Sequence, residues 1–183
     1  MKTVVEEEIN KYFDKYSSNM GSILAYVRYK KDLYNYYQDE YKIYDMLPYI
    51  REAIDITCLI KLYGFFDKKY GLPLNNFLNF LKNSNLGKDN ELSMLEEELN
   101  LFSKENVVKN KIIRLRSIMA HTNPNGKPVV LTVEEVEEIL EWIKIFINKL
   151  HRLCGKSSFG FIYQSQHGSI FKDVLDVLKE NHN

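Results

Sequence analysis

No apolar run in these 183 residues approaches the ~20 that a bilayer-spanning helix requires. Two cysteines, Cys58 and Cys154, are too few for a disulfide framework, and each sits in an apolar helical pattern. They read as small buried hydrophobes. Neither sign of charge is in excess, because 25 Lys and Arg balance 25 Asp and Glu. Proteins that coat nucleic acid non-specifically are strongly basic, since phosphate neutralisation drives that binding. This chain is outside that class, although a local basic patch remains compatible with brief contact to RNA. The chain also lacks a strand-like alternation of useful length, a glycine-rich phosphate loop, a nucleophile elbow and a fixed-period repeat. No two of His121, His151, His167 and His182 stand three or four residues apart, and no Cys-x-x-Cys occurs. A metal site would have to be assembled from distant segments, so neither metal nor cofactor is expected. The opening residues, MKTVVEEEINKYF, are acidic and periodic rather than leader-like, and the expected location is the cytoplasm.

What is present is helical periodicity almost throughout. With 45% apolar and 27% charged residues, the chain can fill one core. Residues 3–16 place Val5, Ile9, Tyr12, Phe13 and Tyr16 at helical spacing. SSNMGS at 17–22 reads as a break. Residues 23–46 then carry Tyr26, Tyr29, Leu33, Tyr37, Tyr41 and Tyr44 on one face. Such a stripe could stack bases, but packing with wet hydroxyl ends is the reading favoured here. Pro48 opens a helix to about Lys69 with Ile50, Ile54, Cys58, Leu62 and Phe65 inward. A short helix over 74–81 buries Phe77 and Leu81, and NSNLGKDN at 83–90 is a polar loop. Helical pattern resumes over 91–120 with a break near Ser103, and HTNPNGKP at 121–128 is a turn. Thr132 and Glu135 form a capping box for the next helix. That helix turns Val136, Ile139, Leu140, Ile143, Phe146, Ile147 and Leu150 inward and stops at Gly155. SSFGFIYQSQHGS and an amphipathic helix from about Ile170 to Lys179 follow. The expected architecture is all-α: one domain over 1–183, a bundle of about six or seven helices, with 156–183 as an appended segment and helix.

Chemistry concentrates in one place. Lys109, Lys111, Arg114 and Arg116 form the one dense basic segment, and His121 follows at the expected helix end. The acidic run Glu134, Glu135, Glu137, Glu138 and Glu141 is accounted for by the dipole of the helix it opens. At a helix C-terminus the dipole favours imidazolium and should raise the pKa of His121 toward neutrality, where an acid–base catalyst works best. An arginine beside it offers planar donors to phosphate and to a pentacoordinate transition state. On an ideal α-helix Arg114 lies within about 20° of His121, and Arg116 about 140° around. Arg116 then reaches His121 through its long side chain or through early unwinding, which Pro124 favours. Together these groups suffice to cut a phosphodiester without metal. The plainer reading is a histidine that caps its helix beside solvated arginines.

The segment IIRLRSIMAHTNP at 112–124 resembles the signature of the HEPN superfamily, an arginine followed after four to six residues by histidine. The abortive-infection, AbiU-like branch is the nearest in pattern. LIKLYGFFDKKYGLPLNNFLNFL at 59–81, with Phe66-Asp67 leading into a short helix, and the tail FKDVLDVLKE at 171–180 fit the same resemblance loosely. It implies a helical-bundle domain that forms a homodimer with a composite RNA cleft at the interface. It implies a metal-independent endoribonuclease, commonly a toxin or phage-defence effector restrained by an antitoxin partner. In that pattern His121 is the acid–base residue and Arg116 the phosphate-stabilising arginine, with Arg114 matching the longer spacing. Lys109, Lys111, Arg114, Ser117 and Asn123 stand as RNA-binding or supporting residues. Ser117 departs from the Asn, Asp or His usual after the arginine, which motivates the alternative: a non-catalytic module that binds a protein partner or RNA.

Overall fold

The computed structural model describes residues 2–38, 46–67, 73–105, 108–113 and 131–156. Among them every regular element is helical. The first, α1 (Lys2–Gln38), runs 37 residues, about 55 Å at 1.5 Å per residue. The expected break at 17–22 is absent, because α1 passes straight through it. Ile9, Phe13, Tyr16, Met20, Ile23 and Val27 are all buried, and their alternating four- and three-residue steps carry one apolar seam across the polar stretch. Burial of Met20 and Ile23 outweighs the weak turn preference of Ser, Asn and Gly. Ser22 Oγ donates to the Ser18 carbonyl at 2.9 Å, so its hydroxyl is satisfied within the helix. Tyr26 packs at the edge of the core, while Ile23, Val27 and Leu33 are the fully buried positions around it. The side chains of Tyr37, Tyr41 and Tyr44 lie outside the described residues.

The second helix, α2 (Met46–Phe66), buries Ile54, Cys58, Leu62 and Phe65 as the periodicity predicts, leaves Ile50 only partly buried, and ends at Phe66 rather than near Lys69. Pro73 precedes α3 (Leu74–Asn83), which buries Leu74, Phe77, Leu78 and Leu81. A left-handed Asn85 (φ 54°) ends α3. Leu86 N–H then donates to the Leu81 carbonyl at 3.0 Å, and Asn85 N–H to that of Lys82 at 3.1 Å. This is a Schellman closure, and it returns Leu86 to the core. α4 (Asp89–Phe102) stops at Ser103, the expected break. Of the rest of the helix expected over 91–120, the described residues 108–113 are not wound as α-helix. Val108–Ile113 is a π-helical turn, π1, that packs on α2 with Val108 and Ile112 buried.

The last described helix, α5 (Val133–Leu153), buries the seven residues expected of it. Gly155 (φ 70°) ends it with the same Schellman pattern, Lys156 N–H to the His151 carbonyl and Gly155 N–H to that of Arg152. α1 packs against α2 and α5, and one hydrophobic cluster joins all five α-helices and π1. At one end of α1 the cluster is aromatic. Phe77 stacks on Tyr12 at 4.6 Å and meets Phe13 edge-on at 5.2 Å, and Phe13 meets His151 at 4.5 Å. Buried Tyr16 donates its hydroxyl to the Pro73 carbonyl at 3.4 Å, and burial pushes its pKa well up. Within the described residues no helix is long and apolar enough to cross a membrane. SSFGFIYQSQHGS and the helix expected over 170–179 lie outside them.

Candidate functional site

Residues 114–130, between π1 and α5, carry Arg114, Arg116, Ser117, His121 and Asn123, and lie outside the described residues. Lys109 belongs to π1, its side chain also outside them. The described structure gives the base from which this segment leaves and to which it returns. On the leaving side, Val108 and Ile112 fix π1 against α2. Lys111 points away from them to Glu135 on α5, its Nζ 2.5 and 2.6 Å from the two carboxylate oxygens. The ideal α-helical angles between the arginines and His121 therefore start from a stretch that is wound as π-helix.

On the returning side, the capping box is complete. Thr132 Oγ1 accepts from Glu135 N–H at 3.2 Å, and Glu135 Oε2 accepts from Thr132 N–H at 2.9 Å. Burial works to raise the pKa of Glu135. The Lys111 hydrogen bond and the Thr132 N–H outweigh it and hold the carboxyl below its usual value. Leu131 is buried, and its carbonyl accepts from Lys30 Nζ of α1 at 2.8 Å. Lys30 also pairs with Asp55 of α2 at 2.6 Å. Beside this pair a cavity of about 10 Å³, lined by Tyr26, Ile54, Cys58 and Val136, has room for no more than one water.

Of the predicted supporting residues, Lys111 alone has a described side chain, and it is engaged with Glu135. The periodicity gave Glu135 only a capping role, and nothing flagged Lys30 or Asp55. Their pairing joins residues 25 apart, and the Lys30–Leu131 contact joins residues 101 apart. No local pattern encodes such distances.

Among the described residues no group of three His, Cys, Asp or Glu could hold a metal ion. Burial pushes the Cys58 thiol up to about 12 and the Cys154 thiol to about 11, so both stay protonated and poorly nucleophilic at neutral pH. A second, open concavity of about 610 Å³ lies between α4 and α5, floored by Leu95 and Leu153 beside exposed Met94. Lys149 and Glu98 pair across it at 2.6 Å. No family model, curated protein or solved structure matches this chain.

Proposed function

We propose that the chain is a metal-independent endoribonuclease of the arginine–four residues–histidine kind, a toxin or phage-defence effector working as a homodimer under the control of an antitoxin. The observation that carries this reading is the spacing of Arg116 and His121 within the dense basic segment. His121 takes the proton of a ribose 2′-hydroxyl while the 2′ oxygen attacks phosphorus. Arg116 stabilises the charge that builds on the non-bridging oxygens. The protonated histidine returns a proton to the departing 5′ oxygen, leaving a 2′,3′-cyclic phosphate and a 5′-hydroxyl. Lys109, Arg114, Ser117 and Asn123 serve binding of the RNA backbone around it. The helical elements among the described residues, and the contacts of Lys111 and Leu131 that flank segment 114–130, support the reading.

The test is cleavage of total RNA in the presence of EDTA by wild type and His121→Ala. Wild type should cut and leave cyclic phosphate ends. The variant should lose roughly 10²- to 10⁴-fold in rate, the usual worth of acid–base catalysis. A His121→Ala protein that cuts like wild type would sink the reading. Silence of both proteins favours the second reading, a non-catalytic helical module that binds a protein partner. The observation in its favour is the open concavity between α4 and α5 with Met94 69% exposed at its edge.

A further inference from the structure

Six large apolar side chains are exposed among the described residues, and three of them gather on the outer face of α4 and α5: Met94 (69%), Leu101 (61%) and Ile145 (46%). The two helices run antiparallel there, because Glu98 pairs with Lys149 while Phe102 stacks on Trp142 at 3.8 Å. Residues seven apart on a helix share a face, which puts Met94 in line with Leu101 on α4 and Ile145 in line with Arg152 on α5. The charges on this face are sorted by helix. α4 holds Asp89, Glu91, Glu96, Glu97 and Glu98 and no cation, whereas the last turns of α5 bring Lys149 and Arg152 to the concavity beside Glu91 and Glu98. Glu91 holds Lys88 only loosely, at 3.7 Å, and Arg152 is exposed. An exposed apolar strip with a charged rim marks a protein contact.

We propose that this face pairs with the same face of a second copy of the chain, about a twofold axis running along the two helices. Such an axis lays each α4 on the partner's α5 at the same level. Glu91 then faces the partner's Arg152, and Leu101 faces the partner's Ile145. Every contact occurs twice, as an isologous interface requires. An axis across the helices would lay α4 on the partner's α4 and set its carboxylates against their own copies, which like-charge repulsion disfavours. A formal net charge of zero leaves no long-range repulsion between copies. α4 is 14 residues long, about 21 Å, and two helices side by side are about 20 Å wide, so the face offers roughly 400 Å² per copy. A standard interface takes about 800 Å² per partner, so this pairing is weak and reversible, with Kd on the order of 100 µM. The pairing rests on described residues and does not require RNA cleavage, so it stands or falls apart from the ribonuclease reading.

The test is sedimentation velocity on the full chain, from about 10 µM to about 1 mM at low salt, with three single variants. Wild type should pass from monomer to dimer across this range. Leu101→Glu should weaken association at least roughly tenfold and leave the unfolding midpoint in place, as surface substitutions usually do. Arg152→Glu sets a carboxylate against the partner's Glu91, and Glu91→Lys sets an ammonium against the partner's Arg152. Each variant alone should therefore self-associate roughly tenfold more weakly than wild type. Mixed one to one, the two should associate again to within about threefold of wild type, because unlike charges then meet at both contacts. Failure of the mixture to recover overturns the pairing. So does tighter association of Glu91→Lys alone, the result that α4 lying on α4 would give. Dimers of Leu101→Glu as tight as those of wild type place the contact elsewhere and overturn it too. A wild type that stays monomeric to about 1 mM overturns it and leaves the face to a different protein or to residues 157–183 of the same chain.

Discussion

At Phe13 the long first helix is gripped by rings, and at Lys30, roughly 26 Å further along at 1.5 Å per residue, it is gripped by charges. The aromatic end joins Tyr12, Phe13, Phe77 and His151 through faces and edges. The charged end joins Lys30, Asp55, Lys111 and Glu135 through ammonium and carboxylate groups. The first kind of contact gains by burying area and, its histidine aside, offers no charge for salt or mild acid to act on. The second adds little net energy but fixes direction, and it responds to both. Lys111 and Leu131, the described residues that flank the candidate segment, both lie at the charged end.

The largest expected effect breaks the aromatic end. Phe77 has no exposed surface, and Phe77→Ala should cost about 3–5 kcal/mol in denaturant unfolding, equally at low and high salt. A cost that shrinks with salt would contradict the division. The next effect lies at the charged end and is set by pH. The Glu135 carboxyl sits below its usual 4.5 in the folded state. Its stabilisation is therefore fully present above that usual value and drains away as pH falls through the folded value. Wild type should lose stability in mild acid faster than Glu135→Gln, while the cost of Phe77→Ala stays the same across that range. Parallel acid limbs for wild type and Glu135→Gln would remove Glu135 from the account. The smallest effect serves as the control. Lys31 and Glu137 pair at 2.6 Å but remain 50% and 46% exposed, so Glu137→Gln should change stability by less than about 0.5 kcal/mol.

Legibility in the sequence followed the same division. The inward face of α5 was readable residue by residue, because Thr132 and Glu135 mark its start and its apolar period is long and unbroken. α3 and the stop at Ser103 were readable for similar reasons. SSNMGS misled because turn-forming residues signal locally, whereas the seam through Met20 and Ile23 that overrides them is held by other helices. The π winding of Val108–Ile113 left no trace in composition. Of the candidate site, the residue types and spacing were legible, and Arg116 and His121 rest on them alone. The pairings of Lys30 with Asp55 and of Lys111 with Glu135 were not, since such partners are chosen by topology.

The seam of α1 carries a further consequence for register. Its steps repeat identically from Ile9 to Val27, so a slide by one heptad, about 10 Å, would bring apolar side chains back onto apolar neighbours. Hydrophobicity alone does not tell these alignments apart. The Tyr16 hydroxyl on the Pro73 carbonyl and the Lys30 ammonium on Asp55 and Leu131 do, because a slipped helix leaves both without their oxygens. A tyrosine at one end and a lysine at the other act as the index marks of an otherwise repeating scale.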